Sequence, residues 1–180
     1  AYDGVDEGIK LDNTNNATDM NFGFDDSFSI SLWAISSNET FNMLMTKSAY
    51  YPFASSPAPA GGQGWQFGFT SNALQFSLDS VVWTSGISNS MTGFQSWKLR
   101  NSWHHYAVTY NGSRLGSGIK IYIDSIDVSG AGTTLNMDAS KVCSTTSSIF
   151  IGDRDTTSPG NTQTNASWLG NIDEVAVWED

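Results

Sequence analysis

The chain has 180 residues, is 39% hydrophobic, and carries 8 Lys and Arg against 18 Asp and Glu, a formal charge of -10. That length can bury a sizeable core as one all-β domain. The charge excludes nucleic acid and anionic membrane as partners, because phosphate binding depends on clustered basic residues. No apolar run approaches the roughly 18 residues of a membrane helix, so no membrane insertion is expected, and no basic-then-apolar leader is present. The expectation is a single domain over residues 1–180. A start at Ala1 without Met and a stop at Asp180 directly after a strand pattern suggest a processed protein or a domain excised from a longer one.

Period-2 patterns dominate, and no convincing helix of ten or more residues is found. "FSISL" sets Phe28, Ile30 and Leu32 on one face against Ser29 and Ser31 on the other, and a short strand follows at Met43 to Thr46. "WQFGF" alternates Trp65, Phe67 and Phe69, and after a Ser71-Asn72 turn Leu74, Phe76 and Leu78 continue in phase. A further short strand is expected at Val81 to Thr84. "WHHYAVTY" alternates Tyr106, Val108 and Tyr110 and ends in the turn pair Asn111-Gly112. "IKIYID", with Ile119, Ile121 and Ile123, completes a hairpin. Short strands at Ile126 to Val128, Ile149 to Ile151 and Val175 to Trp178 bring the expectation to roughly a dozen strands in two packed sheets.

The last of these lies in "WLGNIDEVAVW", Trp168 to Trp178, which sets Asp173 and Glu174 inside an apolar strand. Val175 and Val177 share a face, but Ile172 has the opposite parity. If all three are buried, the strand must carry a bulge or begin at about Glu174; a bulge re-aims one side chain. Asp173 is then expected to point out at the sandwich edge, near the pairing site of the amino-terminal segment. Glu174 reads as a strand-edge residue.

Two stretches do not alternate. Residues 50–64 hold all but one of the four prolines, and residues 153–167 are rich in Thr, Ser and Asn. Loops of that length are unusual in a compact domain unless they are functional. Fourteen of the 18 acids are Asp, a bias that suits loops and oxygen-ligand sites more than helices. One cysteine, Cys143, excludes an internal disulfide and a cysteine-based zinc cluster, and reads as a buried small hydrophobe. Four sequons, at Asn16, Asn38, Asn111 and Asn165, are weighted little in a chain so rich in Asn, Ser and Thr. His104 and His105 are neighbours on a strand and point to opposite faces, so they cannot jointly hold a metal. One is expected packed and the other solvated. The glycines at 61, 62 and 64 make no phosphate cradle, since no helix or Lys-Ser/Thr pair follows.

Aromatic residues make up 13% of the chain, more than a bland sandwich needs. Sugar sites stack aromatic faces on the apolar side of a ring while polar groups bond its hydroxyls. Trp33, Trp65, Trp103 and Trp178 lie within or beside strand motifs, and core packing accounts for them. Tyr50, Tyr51, Trp83 and Trp97 lie in or next to loops, where they either contact a ligand or anchor the loops; these four are the candidate carbohydrate-binding residues.

The ordered set "DGVDEGIKL" (Asp3 to Leu11), "FSISLWA" (Phe28 to Ala34), "GWQFGFTSNALQFSL" (Gly64 to Leu78), "WHHYAVTYNG" (Trp103 to Gly112), "IKIYIDSIDV" (Ile119 to Val128), "IFIGDR" (Ile149 to Arg154) and "WLGNIDEVAVW" resembles the laminin G-like (LamG-like) domains of the concanavalin A-like lectin and glucanase jelly rolls. The resemblance spans nearly the whole chain. One departure is Ser125, where the family usually has Gly in a tight turn. The resemblance implies an antiparallel two-sheet β-sandwich in which the last long strand pairs beside the first. It also implies a structural calcium at Asp173, held with backbone carbonyls near the amino terminus, and Asp3 as a further candidate ligand. A rim carboxylate bonded to backbone amides is the alternative for Asp173. The catalytic branch of the superfamily uses an E-x-D-x-E or E-x-D-x-x-E strand. Here Glu7, Glu39, Glu174 and Glu179 form no such pattern, so no enzymatic activity is expected.

Two functions remain. The first is a non-enzymatic module in an extracellular or particle-surface protein that recognises a glycan or polysaccharide. The second is a structural or assembly domain of a virion or cell-surface protein, contacting other protein subunits.

Overall fold

The computed structural model describes residues 2–3, 8–11, 20–37, 41–48, 64–70, 73–79, 86–92, 99–135, 143, 145, 147–153 and 167–179. Among these, thirteen strands follow in chain order: β1 (Tyr2–Asp3), β2 (Ile9–Leu11), β3 (Ser27–Ser36), β4 (Phe41–Ser48), β5 (Gly64–Thr70), β6 (Ala73–Asp79), β7 (Gly86–Ser90), β8 (His104–Asn111), β9 (Ile119–Ile123), β10 (Ile126–Asp127), β11 (Thr133–Leu135), β12 (Ile149–Ile151) and β13 (Leu169–Glu179). They form a six-stranded sheet in the order β1-β13-β3-β8-β9-β10 and a seven-stranded sheet in the order β11-β7-β6-β5-β4-β12-β2. The fold is the antiparallel two-sheet jelly-roll sandwich that the alternation and the resemblance lead one to expect. β1 pairs with β13, which joins the chain's first strand to its last. The strand expected at Val81 to Thr84, and nearly all of the two non-alternating stretches, lie outside the described residues.

The core follows from strand parity. β3 turns Phe28, Ile30, Leu32 and Ala34 inward, β8 adds Tyr106, Val108 and Tyr110, and β9 adds Ile119, Ile121 and Ile123. Opposite them, β5 contributes Trp65, Phe67 and Phe69, and β6 contributes Leu74, Phe76 and Leu78. Phe22 and Phe28 stack with ring centroids 4.1 Å apart, and Phe22 lies 5.6 Å from Trp65. The two buried indoles keep their N–H groups bonded, Trp65 to the carbonyl of Met20 (2.9 Å) and Trp168 to that of Ile35 (3.1 Å). A buried donor without a partner would cost free energy that packing would have to offset.

The outer faces of the two sheets differ. On the seven-stranded sheet Thr46, Gln66 and Ser77 lie off the core parity and are buried all the same. On the six-stranded sheet the outward residues Ser29, Ser31, Trp33, His105, Ala107 and Thr109 all retain accessible surface. A ligand can approach the sandwich at this second face.

Two turns refine the sequence reading. β8 and β9 form the expected hairpin, in register from Tyr106 opposite Ile123 to Tyr110 opposite Ile119. Their connection is longer than an Asn-Gly turn: it runs over residues 112–118 and ends in a 3-10 turn at Gly116–Gly118. Between β9 and β10, Asp124 (φ 50°) and Ser125 (φ 68°) both adopt left-handed backbone. Two positive φ values in a two-residue hairpin loop define a type I′ turn, the geometry in which Gly is favoured at the second position. The Asp124 carboxylate supports it, accepting the His105 N–H at 2.9 Å and lying 2.6 Å from Nδ1 of His104.

Candidate functional site

The candidate site is built where β13 crosses the end of β3. Trp33 has the outward parity of β3 and is 38% exposed. Asp173 is its direct cross-strand partner. The register then slips: Asp173 faces Trp33 and Ala176 faces Ser31, so three steps along β13 span two along β3. This is the bulge that the parity of Ile172 against Val175 and Val177 demanded, and all three pack against the core. The extra residue is Glu174, held at φ 50° with its N–H donated to Oδ1 of Asp173 at 2.8 Å. Left-handed backbone is unfavourable for a residue with a Cβ, so the ladder is bent at a cost in conformational energy.

Trp103, immediately before β8, is 44% exposed and closes the far side. Together Trp33, Trp103, Asp173 and Glu174 line an open pocket of about 150 Å³. His105 tilts against Trp33 with ring centroids 5.4 Å apart and braces the indole. Among the described residues neither carboxylate forms an ion pair. The pocket therefore offers π faces and hydrogen-bond acceptors. Along the same outer face the cross-strand row Ala176, Ser31, Ala107 and Tyr122 leads to the row Trp178, Ser29, Thr109 and Lys120. Small side chains thus form the floor between the pocket and Trp178, which is 52% exposed.

Three expectations need correction. Trp33, Trp103 and Trp178 are not core residues: their large exposure puts them on the outer surface, and of the four tryptophans assigned to packing only Trp65 is buried. For Trp33 the signal was present, since it stands at odd parity to Phe28, Ile30 and Leu32. Glu174 is not merely a strand-edge residue, because the bulge brings it into the pocket lining. His104 and His105 do take opposite faces, but neither is freely solvated. His104 is held by Asp124, and His105 is covered in part by Trp33.

Of the other candidates, Tyr50, Tyr51, Trp83 and Trp97 lie outside the described residues. Asp173 is exposed, as expected. Asp3 is not brought beside it. Asp3 pairs with Leu169, four positions before Asp173, which at about 3.3 Å per residue is roughly 13 Å along β13. Among the described residues no group of three or more His, Cys, Asp or Glu could hold a metal.

Elsewhere, burial pushes the Asp79 carboxyl up to about 7, against the opposing hydrogen bond from the Ser77 hydroxyl at 3.0 Å. Burial likewise pushes the Cys143 thiol up to about 12. A thiol so hard to ionise is a packing group and not a nucleophile. Among the described residues no helix is long and apolar enough to cross a membrane.

The fold is shared with solved structures of low sequence identity. Domains LG4-5 of the mouse laminin alpha1 chain match with a TM-score of 0.62 and 12% identity over 98% of this chain, which spans 41% of the laminin chain. A SAP-like pentraxin from Limulus polyphemus matches at 0.53 with 16% identity, covering 99% of this chain and 78% of its own. The CBM40 of the Ruminococcus gnavus IT-sialidase matches at 0.52 with 10% identity, covering 97% and 89%. No curated protein sequence matches the chain. The family that matches is Laminin_G_3, over residues 3–180. The chain belongs to the concanavalin A-like lectin/glucanases superfamily.

Proposed function

We propose that this domain is a non-catalytic recognition module that binds carbohydrate on the outer face of its six-stranded sheet. The observation that carries the reading is the pocket of Trp33, Trp103, Asp173 and Glu174, in which two half-exposed indoles stand beside two carboxylates. Indole faces stack on the apolar side of a sugar ring, and carboxylates accept its hydroxyl protons. Ser29, Ser31 and Thr109 carry further hydroxyls along the same face. The superfamily includes lectins, and the similarity to the CBM40 of a sialidase is consistent with the same use. Tyr50, Tyr51, Trp83 and Trp97 remain proposed additional contacts. Hydrolysis is not part of the proposal, because it requires two carboxylates flanking the bond and Asp173 and Glu174 are neighbours in one bulge.

An extracellular or particle-surface setting belongs to the same reading. The calcium that the resemblance implies at Asp173 is a separate proposal, and no part of the recognition described here runs through it. The test is a glycan array probed with the native domain and with Trp33→Ala and Trp103→Ala. Binding to a related set of glycans that both substitutions remove supports the reading. Silence from the folded native domain sinks it.

A second reading is favoured by the exposed Trp178 on the same outer face. It makes this face a protein interface within an assembly. A solution mass of a defined oligomer that Trp178→Ala reduces to the monomer would support it.

A further inference from the structure

We propose that the Trp33–Trp103 pocket selects a positively charged ammonium group carried on its saccharide, so that its preferred ligands are amino sugars and not their neutral or acidic counterparts. The inference rests on the carbohydrate reading and names the class of sugar.

The lining carries the argument. Among the described residues the lining side chains are two indoles and two carboxylates, with no Lys or Arg among them. The only donors they offer are the indole N–H groups, while both carboxylates only accept. A uronic or sialic acid would meet like charge here, against a chain that already carries -10. A neutral sugar could bond the carboxylates but would leave their charge uncompensated as water is displaced, which is costly. An ammonium group satisfies both parts of the lining. Its positive charge lies favourably over indole faces, and its N–H groups donate to the acids.

Size and shape point the same way. At about 150 Å³ the pocket is well below the roughly 300 to 1,000 Å³ of sites that enclose a whole small molecule, so it admits one substituent while the ring rests outside. The indoles also separate this ligand from a divalent metal ion, which takes hard oxygen ligands and gains little from an aromatic face. Other acids of the described surface are already engaged: Asp25 with Arg114, Asp127 with Lys120 and Asp124 with His104. Asp173 uses Oδ1 for the Glu174 N–H. Its second oxygen and the Glu174 carboxylate bond no other described group, and they are the acceptors assigned to the ligand.

The experiment compares glucosamine oligosaccharides with N-acetylglucosamine oligosaccharides of the same length, by calorimetry, in chelator and at a pH where the free amine is protonated. Acetylation removes the charge and leaves the ring. The expected result is at least about tenfold tighter binding of the free amine, or about 1.4 kcal/mol. That preference should weaken with salt and disappear in the Asp173→Asn/Glu174→Gln variant, whose amides keep shape and polarity. Equal or tighter binding of the acetylated oligomer, still lost in Trp33→Ala, overturns the charge selectivity and leaves carbohydrate binding standing. Choline serves as the sugar-free arm: if it binds as tightly as the glucosamine oligomer, the saccharide part of the proposal and the carbohydrate reading both fall. Failure of the folded domain to bind either oligosaccharide also removes both.

Discussion

Trp33 and Asp173 are direct cross-strand partners on the outer face of the six-stranded sheet, one near the end of β3 and the other at the edge of a bulge in β13. Cross-strand neighbours on one face approach closely enough to act on the same ligand. That single register position sets an aromatic surface beside a carboxylate, and several expectations depend on it.

Replacing Trp33 should separate binding from stability. Its indole is partly exposed and its main aromatic neighbour is His105, so Trp33→Ala should change the unfolding free energy by no more than about 1 kcal/mol. Glycan affinity should fall at least about tenfold. Trp168→Ala is the contrast. It empties a fully buried site against Phe69 and deletes the bond to the Ile35 carbonyl, for a loss of about 3 to 5 kcal/mol. Urea unfolding with parallel titrations checks both.

Glu174 and Ser125 are both held in left-handed backbone, and glycine should relieve each. Glu174→Gly and Ser125→Gly are expected to raise stability by about 1 kcal/mol. Only Glu174→Gly should weaken ligand binding, because Glu174 lines the pocket and Ser125 does not. Loss of binding in both variants would show that the fold, and not the pocket, had been disturbed.

Asp79 should make stability fall as pH rises. Its folded pKa, about 7, lies above the ordinary 3.8, so between those values the native state holds the proton more tightly than the unfolded chain. Stability is therefore lost through that window and levels off above it. Below about 4 the sign reverses. Asp124, against the cost of its partial burial, is held low by the His104 ring and the His105 amide, and its contribution is lost as pH falls through its depressed pKa. Melting curves across this range should therefore peak near its acidic end, and Asp79→Asn should remove the decline toward neutrality.

Calcium can be decided by itself. If Asp173 holds the proposed ion with backbone carbonyls, chelator should lower the melting temperature and added calcium should restore it. A calcium-dependent rise that Asp173→Asn abolishes would place the ion at Asp173.

Much of this architecture was legible in the alternation of single strands. Phe28, Ile30 and Leu32, or Phe67 and Phe69, declare their face without help from the rest of the chain, because a pleated strand turns alternate side chains the same way. Even the bulge was foreshadowed by the clash of parity between Ile172 and Val175. The pocket was not legible, since it depends on which strands become neighbours. Nothing local to Trp33 says that β13 will lie beside it, or that Trp103, just outside a strand, will close the far side. Tryptophans near strand motifs read as core by composition alone, although Trp33 and Trp178 each carried a parity that could have corrected the assignment.

The bulge has one more consequence. Without Glu174 the segment would run Asn171, Ile172, Asp173, Val175, Ala176, Val177, Trp178, an unbroken alternation of outward and inward residues that needs no irregularity to pair with β3. The sandwich is thus complete without this residue. Deleting Glu174 should leave a regular strand and an intact fold while taking one of the two charges from the pocket, so the chemistry of the site can be rewritten at a position that the architecture does not require.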